Sequence, residues 1–425
     1  MRVLLTSDFF HPVIGGAERQ VGLLAGALAG RGHDVRVATT AQPGLPAREL
    51  IDSIAVDRLM GVASALPAPG GGRRFLPPAP DPMLTIGIRR LVSDWRPDVV
   101  HASGWIGYST AAAVLDNAAP MVLSVRDYGH ACATRNLLWQ DRTLCDGPSL
   151  TRCLDCAGRH YGAARALIAV SGVRAGRPLL RRTVRAIHSV SRFVERTVER
   201  DVLRGDPGWR PILERIDDIV PAPPDQGHGG PFERDDWGLL GRLPTVPYIL
   251  FVGALQTHKG LDVLLEAWDR MGGMPGGSID RPPLVLIGTR SADTPATFPA
   301  GVTVLSDVPH RVVMAAWERC LFGVVPSLWP DPLPGVVREP MTRGKTVIGS
   351  DVGGIPDMIT HDVNGLLVPP GDARALASAM DRLVADPASR ARMGEAGRRS
   401  VAELTPPAIG RRFEALYERA LRSDR

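Results

Sequence analysis

The stretch from Val325 to Ile355 constrains the fold more than any other part of the chain. An apolar run that enters it, Phe322 to Val325, predicts a strand that stops at Pro326. A short helix is expected to begin near Gly335, because prolines precede it and proline suits the first helical turn. A second apolar run, Thr346 to Gly349, predicts the next strand. The polar groups of such a unit collect at the carboxyl ends of its strands, where open α/β sheets bind ligands.

Three charged residues around this stretch suggest a type of ligand. Asp331 lies on the predicted loop and Glu339 in the predicted helix, where carboxylates accept hydrogen bonds from sugar and ribose hydroxyls. Only two of the 50 basic residues are lysine, and one of them, Lys259, follows a predicted strand and precedes Gly260. Its compact ammonium suits a phosphate. Together these groups favour a nucleotide-sugar, although each one alone is also typical of a solvated surface charge.

The length of 425 residues and the order of the predicted elements indicate two domains. The chain opens with a strand from Arg2 to Thr6, a helix and a strand from Val35 to Thr39. The same succession starts again at Tyr248 to Val252 and ends with Leu284 to Ile287. We therefore expect an α/β fold of two Rossmann-like domains that face each other across a cleft.

Two segments predict irregular structure. Residues from Gln42 to Pro82 are rich in proline and glycine and poorly patterned, with a mobile part expected around Gly70 to Gly72. Residues 221–231, PAPPDQGHGGP, predict a linker. Asp235 and Asp236 are assigned to the continuation of this linker and are expected to be a solvated pair.

Polar side chains also follow the predicted strands of the first half. They are His101, Arg126, Asp127 and His130. One such residue is usually structural, whereas several at one sheet edge favour a site. Gly15 and Gly16 begin the first helix, where backbone amides suit an anion such as a phosphate, although a structural turn explains the pair equally well.

Four cysteines crowd into 25 residues, and they are Cys132, Cys145, Cys153 and Cys156. The last two have the C-x2-C spacing of a tetrahedral metal site, so a structural zinc is the sharpest prediction. Unligated thiols and disulfides remain the alternatives. The pattern does not suggest a catalytic metal.

The net charge of +5 is carried almost entirely by arginine, and basic residues thicken between Arg174 and Arg215. A solvated helical face is the simplest interpretation, and contact with anionic lipid or an acidic acceptor is the alternative. Nucleic acid is disfavoured, because no aromatic residues interleave the basic ones. Without a signal peptide or a sufficiently long apolar run, the protein is expected to be cytoplasmic, with peripheral contact at the inner face of the membrane as an open alternative.

With these residues in place, the chain resembles the retaining glycosyltransferases of family 4, which have the GT-B architecture. The resemblance covers nearly the whole chain and is strongest from Tyr248 to Pro370. Asp331 and Glu339 keep the spacing of two hallmark glutamates. Gly353-Gly354 and the run Asn364 to Pro369 match the downstream pattern in type and order. The Arg126-Asp127-Tyr128 motif and the cysteine cluster indicate a particular branch.

The resemblance implies roles for individual residues. Glu339 would bind the nucleotide ribose, Asp331 or nearby backbone the donor sugar, and Lys259 the donor diphosphate. Lys259 and Asp331 are the catalytic candidates. The donor-binding set is Gly15, Gly16, Gly253, Lys259, Asp331, Pro334, Gly335, Val336 and Glu339. The acceptor-side set is His101, Arg126, Asp127 and His130. The resemblance also implies domains at residues 1–224 and 225–404, with a final helix, 405–425, that crosses back to the first.

Three positions depart from the family pattern. The first hallmark acid is Asp331 rather than glutamate, and Ala254 stands where the family often has arginine. Arg126 stands where a histidine is common, which leaves His101 or His130 as substitutes.

The implied reaction transfers a sugar from a UDP-, GDP- or dTDP-linked donor to an acceptor hydroxyl with retained configuration. It needs no enzyme nucleophile, and no catalytic cofactor or divalent metal is expected. A nucleotide-sugar epimerase and a noncatalytic nucleotide-sugar-binding protein are the alternatives. The sequence does not predict the donor base, the sugar, the acceptor or the oligomeric state.

Overall fold

The computed structural model describes residues 1–13, 15–62, 75–117, 119–140, 143–204, 208–220, 232–271 and 281–423. The predicted mobile part around Gly70 to Gly72 and the predicted linker at 221–231 lie outside these residues.

The chain divides into two compact units. The first comprises Met1–Ile219 and Pro406–Arg425, and the second comprises Val220–Thr405. These bounds lie close to the predicted ones at 224/225 and 404/405.

The first unit is built on a twisted, mostly parallel sheet. Its strands are β1 (Arg2–Ser7), β2 (Asp34–Thr40), β3 (Arg48–Ile51), β4 (Ile54–Leu59), β5 (Val99–Ser103), β6 (Met121–Val125), β9 (Val184–Ser189) and β10 (Ile212–Arg215), with a small hairpin of β7 (Leu138–Trp139) and β8 (Thr143–Leu144) apart from it. Among the described residues the sheet order is β10-β9-β6-β5-β1-β2-β4-β3. Its helices are α1 (Gly16–Ala29), α2 (Pro82–Trp95), α3 (Ile106–Val114), α4 (Leu150–Tyr161), α5 (Ala163–Ala175), α6 (Arg177–Thr183), α7 (Arg192–Thr197), which continues as a π-helix (Val198–Leu203), and the final helix.

Local sequence explains why these elements begin where they do. The predicted strands at both ends of α1 form, and β1 pairs in parallel with β2 and β5. Val21, Leu24, Ala25 and Leu28 of α1 are buried, as the helical spacing predicts. Asp81 caps α2 by accepting hydrogen bonds from the N–H groups of Met83 and Leu84, and Pro82 occupies its first turn.

The prediction of irregular structure from Gln42 to Pro82 is wrong for part of that segment. Residues 48–59 form the hairpin of β3 and β4, and β4 extends the parallel sheet beside β2. The hairpin turns at Asp52 and Ser53, whose φ angles are 47° and 67°. Positive φ at both central residues is the geometry that joins two antiparallel strands tightly. β4 forms although its sequence has a weak strand pattern, because it pairs with β2 and is largely buried.

The second unit repeats the design with a smaller parallel sheet. Its strands are β11 (Ile249–Val252), β12 (Leu284–Ile287), β13 (Val302–Leu305), β14 (Phe322–Val325), β15 (Thr346–Ser350) and β16 (Leu366–Val368), and within the described residues their order is β13-β12-β11-β14-β15-β16. Its helices are α8 (Arg234–Gly241), α9 (Leu261–Arg270), α10 (His310–Arg319), α11 (Gly335–Met341), α12 (Ala373–Ala385) and α13 (Pro387–Val401). Two Rossmann-like units therefore confirm the predicted α/β fold class.

Both faces of the second sheet are covered by apolar side chains. Trp268 of α9 packs with Ile249 and Leu284 on one face, and Trp317 of α10 packs with Leu250 and Val285 on the other. Burial on both faces explains why β11 and β12 read as continuous apolar runs rather than alternating ones. It also holds the loops at the carboxyl edge on a rigid base.

The expectation that Asp235 and Asp236 are a solvated pair is wrong for Asp236. Asp236 is only 1% exposed and forms a capping box with Glu233 at the start of α8. Arg311 of α10 donates to its carboxylate over 2.5 Å, and this hydrogen bond lowers the pKa of Asp236. Asp236 is therefore part of a structural ion pair, because Arg311 approaches it from 75 residues away in the sequence.

The final helix, α14 (Pro406–Arg422), packs on the first unit, where the resemblance places it. Arg31 and His33, which follow α1, both contact Glu414 of α14. Arg412 and Arg419 reach Glu214 of β10. No helix among the described residues is long and apolar enough to cross a membrane.

Candidate active site

The clearest cluster of predicted site residues lies at the carboxyl edge of the second sheet. The ammonium of Lys259 is 2.5 Å from Oδ2 of Asp331, across 72 residues of sequence. Both side chains are largely shielded from water, with 24% and 9% of their surfaces exposed. Two residues that the sequence proposed separately are therefore direct partners.

Trp329 forms the floor beneath the lysine. The Lys259 ammonium lies 4.8 Å from the centre of the indole ring, within the range of a cation–π contact. The ring of His258 meets Trp329 edge-on. Nε1 of Trp329 is buried and has no hydrogen-bond partner within the described residues. The sequence analysis missed Trp329, because an indole between a leucine and a proline carries no spacing signal.

Backbone contacts hold the Asp331 loop against the turn Thr257–Lys259. The N–H groups of Leu328 and Trp329 both donate to the carbonyl oxygen of His258. Gly260 has a φ of 79°, and a Cβ there would lie 1.8 Å from the carbonyl oxygen of Pro326. Only glycine allows this approach, so Gly260 sets the distance between the lysine and the acidic loop.

The glycine turn after β15 supports the same loop from the other side. Gly353 has a φ of 63°, and a Cβ there would lie 2.4 Å from the carbonyl oxygen of Asp331. The N–H of Gly354 donates to that same oxygen over 2.8 Å. The acidic loop is thus clamped between two glycine turns that follow two different strands.

Glu339 lies in α11, as predicted, and its carboxylate is already oriented. Nε2 of His310 is 2.9 Å from Oε1, and the indole N–H of Trp317 donates to Oε2 over 3.4 Å. The side chain is 11% exposed. Sequence reasoning missed both partners, although His310 begins the helix that follows β13.

The remaining donor-side predictions surround this cluster. Pro334 precedes α11, Gly335 is its exposed first residue, and Val336 is half-buried. A Cβ at Gly335 would meet no atom within 4 Å, so the approach to the first turn is open. Gly253 follows β11 directly and donates its N–H to Ile287.

In the first unit, the carboxyl edge carries a cluster centred on Arg135. Its guanidinium is 2.5 Å from Asp127, which follows β6, and 3.2 Å from Asp8, which follows β1. It also lies 5.0 Å from the ring centre of Trp105. Asp127 was predicted, whereas Asp8 and Arg135 were missed. The signal for Asp8 was its place directly after β1, and Arg135 had none.

The two carboxyl groups beside Arg135 differ in their acidity. Burial raises the pKa of Asp8, and the nearby guanidinium and the Ile106 N–H do not fully offset it. At Asp127 burial acts in the same direction, but Arg135 and the Gly129 N–H outweigh it and lower the pKa. Arg135 therefore contacts two acids of different strength: Asp127, whose pKa is lowered, and Asp8, whose pKa is raised.

The structure gives His101 a structural environment rather than an acceptor-facing one. Its Nε2 is 2.6 Å from Oγ of Ser124, and its Nδ1 is 2.7 Å from the hydroxyl of Tyr417 in α14. The chain continues from Ser124 to Nδ1 of His188, whose Nε2 donates to the carbonyl oxygen of Ile216. One set of tautomers satisfies every atom: Tyr417 donates to His101, His101 to Ser124, Ser124 to His188, and His188 to Ile216. Both ring nitrogens of His101 are thereby occupied, which argues against the predicted acceptor contact.

The other predicted acceptor-side and loop residues have simpler surroundings. Arg126 forms an ion pair with Asp218. His130 is buried beside Tyr108, and burial lowers its pKa to about 4. Gly15 is the residue before α1, and Gly16, its first residue, has no atom within 4 Å of a Cβ position. An open approach at Gly16 agrees with its predicted place on a ligand-facing loop.

The four clustered cysteines all line one cavity between the β7–β8 hairpin and α4. Arg152 donates to the sulfur of Cys145 over 3.7 Å, and the N–H of Ser149 donates to that of Cys153 over 3.4 Å. Within the described ranges, no three His, Cys, Asp or Glu side chains are grouped so that they could hold a metal ion. The thiols share a space without forming a ligand set, and the structural zinc stays a prediction.

Comparison with known proteins agrees with this fold. Residues 240–400 match the family model described as "Glycosyl transferases group 1", and residues 15–207 match the "Glycosyl transferase 4-like domain". The chain is therefore a glycosyltransferase of the GT-B fold.

Individual relatives extend over nearly the whole chain. The 2-deoxystreptamine N-acetyl-D-glucosaminyltransferase of Streptomyces fradiae is 27% identical, over 99% of this chain and 96% of its own length. The structure is similar to sucrose-phosphate synthase from Thermosynechococcus elongatus, with a TM-score of 0.69, 20% identity and 98% of both chains covered. It is also similar to Anabaena HepE in complex with UDP and glucose, with a TM-score of 0.66, 16% identity, and 99% of this chain and 100% of that one covered.

Proposed function

We propose that this glycosyltransferase moves a sugar from a nucleoside-diphosphate-sugar to an acceptor hydroxyl, with retained configuration and without a catalytic metal. The observation that carries the proposal is the pairing of Lys259 with Asp331 at the carboxyl edge of the second sheet. A cation on a glycine-rich edge suits a diphosphate, and a carboxylate beside it suits sugar hydroxyls. One cluster would then bind both the diphosphate and the sugar of a nucleotide-sugar.

In this proposal the bound donor replaces the contact between Lys259 and Asp331. The donor diphosphate takes over the Lys259 ammonium, and Asp331 is released to accept hydrogen bonds from the sugar. Gly260 and Gly353 hold the two groups close enough for that exchange. The lysine then neutralises the charge that develops on the departing diphosphate, which is the largest demand of the reaction.

Glu339 is proposed to bind the nucleotide ribose. His310 and Trp317 already fix its carboxylate, so little side-chain entropy is lost when the ribose hydroxyls donate to it. A fixed carboxylate accepts a pair of hydroxyls better than a mobile one does.

The bond changes balance without an enzyme nucleophile. The bond from the anomeric carbon to the diphosphate oxygen breaks, and a bond from that carbon to the acceptor oxygen forms on the same face. The acceptor's hydroxyl proton passes to the departing diphosphate. In this scheme the protein orients both substrates and excludes water.

The acceptor is proposed to bind at the carboxyl edge of the first sheet, beside Asp127 and Arg126. The relative from Streptomyces fradiae is named for 2-deoxystreptamine, and Anabaena HepE was solved with UDP and glucose. These names make an amine-bearing cyclitol and a UDP-linked sugar the first choices for an acceptor and a donor. Such a reaction is proposed to take place in the cytoplasm.

The test incubates the purified protein with a panel of UDP-, GDP- and dTDP-sugars, with and without acceptors, in the presence of EDTA. We expect nucleotide release that depends on an added acceptor and persists with EDTA, and a product with the donor's anomeric configuration by NMR. Epimerised donor without nucleotide release would contradict the proposal. So would donor binding without turnover across acceptors of several classes, and EDTA-sensitive release would contradict the metal-independent step.

A further inference from the structure

We propose that the first unit carries a second anion site, which binds a phosphate group in an arginine-lined cavity of about 570 Å³ at the amino edge of its sheet. The cavity lies where the π-helix Val198–Leu203 ends and β10 begins. Its polar lining consists of Arg196, Arg200, Arg204, Arg210 and Glu199, with Trp209 beside them.

The described residues neutralise the charge of this cavity only in part. Arg200 makes two hydrogen bonds to Asp201, at 2.8 and 2.7 Å. In contrast, Arg196, Arg204 and Arg210 are exposed and have no ion-pair partner in the described part of the chain. Three unpaired guanidinium groups facing one carboxylate, Glu199, leave the cavity cationic.

The local backbone explains why the arginines converge. Three arginines recur every four residues, a spacing that places them on one side of the helical segment. They are Arg196 in α7, Arg200 in the π-helix, and Arg204, which directly follows it. Arg210 arrives from the segment that leads into β10. A π-helix is rare and occurs often at functional sites.

A second observation points to a ligand inside the cavity. Trp209 is only 5% exposed, and its indole N–H has no hydrogen-bond partner within the described residues. A buried donor without an acceptor is costly, and an oxygen atom of a ligand would supply one. Guanidinium and indole groups only donate, so the ligand must be rich in acceptor oxygens, as phosphate is.

This site is separate from the edge of the first sheet where the acceptor is proposed to bind. Asp8 and Asp127 stand where β1 and β6 end, whereas the cavity stands where β10 begins. Because β10 runs parallel to β9 and β9 to β6, the two lie at opposite edges of one sheet. The phosphate is therefore not a reacting group. It belongs either to an anionic lipid headgroup or to a soluble molecule.

The experiment compares two double variants with the same change in charge. Arg204→Gln/Arg210→Gln alters the cavity, and Arg90→Gln/Arg411→Gln removes two exposed arginines elsewhere in the first unit. All proteins carry Lys259→Ala, which removes the cation proposed for the donor diphosphate. One arm measures sedimentation with phosphatidylcholine vesicles with and without phosphatidylglycerol. The other arm titrates inorganic pyrophosphate by calorimetry.

We expect the cavity variant to bind about 25-fold more weakly, about fivefold for each arginine, and the control to bind as the parent does. Loss confined to the vesicle arm identifies a lipid headgroup, and loss in the pyrophosphate arm identifies a soluble phosphate. Equal weakening by both variants would overturn the proposal, as would absence of binding in both arms. If the glutamine variant fails to fold, Arg204→Lys/Arg210→Lys keeps the charge and is expected to bind within a few fold of the parent.

Discussion

At the residue scale, the main feature of the proposed active site is the contact between Lys259 and Asp331. Both are mostly buried, so each depends on the other until a donor arrives. Three substitutions separate the roles of the cation, the loop acid and the helix acid.

Replacing Lys259 by alanine removes the cation proposed for the leaving diphosphate. We expect kcat to fall by a factor on the order of 10² or more, as for other lost transition-state contacts. Steady-state nucleotide release measures it. Lys345→Ala is the matched control, since Lys345 instead donates to the carbonyl oxygen of Cys320. Near-parental turnover in Lys259→Ala would remove the lysine from the mechanism.

Asp331→Asn keeps the shape of the loop but removes the carboxylate that competes for Lys259. The free nucleoside diphosphate should bind as tightly as before or more tightly, because its cation is no longer paired. Turnover of the full donor should fall about tenfold or more, since the sugar loses an acceptor. Calorimetry with the diphosphate and steady-state kinetics give the two values. A fall in both would instead indicate that the loop had collapsed.

Glu339→Gln should weaken donor binding with a smaller effect on kcat. The loss is expected to be about 1.5–3 kcal/mol, the size of hydrogen bonds to a charged group. Binding of ribose and 2′-deoxyribose donors to both proteins checks the assignment. The difference in affinity between the two donors should be smaller for the variant than for the parent. Unchanged discrimination between the two sugars would refute it.

At the scale of elements, the site depends on short segments that meet at strand ends. Two glycine turns with positive φ clamp the acidic loop, and α11 presents Glu339. The segment between β6 and β9 instead carries the cysteine cavity and Arg135. That segment links the predicted zinc site to the edge that is proposed to bind the acceptor.

The zinc prediction from the cysteine spacing is tested by metal analysis of protein purified without chelator. If the four thiols bind zinc, the analysis should give one zinc per chain, and Cys153→Ser should abolish it. Cys320→Ala is the control, because Cys320 is buried in the core of the second unit and does not line the cavity. A metal-free, folded parent protein would leave the four thiols as structural groups.

At the scale of the whole molecule, the final helix packs on the first unit, and its Tyr417 contacts the buried His101. His101 is linked through Ser124 to a second buried histidine, His188. Burial lowers the pKa of His188 to about 3 and also lowers that of His101. Their folded pKa values lie below the unfolded value of about 6.5, so the unfolded chain binds more protons below that pH. The stability that they contribute is complete above pH ~6.5 and falls as the pH drops toward 3.

Urea titrations at a series of pH values should show this loss. Each buried histidine is expected to cost about 1.4 kcal/mol of unfolding free energy per pH unit below about 6.5. His188→Gln should flatten the slope by that amount, since an amide keeps one donor and one acceptor but does not titrate. His361→Gln is the control, because it changes a histidine whose side chain is 52% exposed. A parental slope in His188→Gln would exclude His188 as its origin.

Much of the fold and part of the site are encoded locally. Apolar runs, proline before α11 and glycine after the strands specify elements without reference to distant residues. The sequence could single out Lys259, Asp331 and Glu339 as candidate site residues, because each follows a predicted strand or lies in a predicted short helix. The two-unit α/β design follows from the repetition of that pattern.

Tertiary structure decided the partners, because a side chain's partner depends on which distant segments approach it. Asp236 reads as a solvated acid but is buried against Arg311, and His101 reads as a site residue but is held by Tyr417 of the last helix. β4 forms despite weak patterning because β2 offers it a paired edge. Asp8, Arg135 and Trp329 become significant only through residues that lie far from them in the sequence. The sequence alone determined which groups stand at the ends of strands, and the packing of the sheets and helices decided which of them meet.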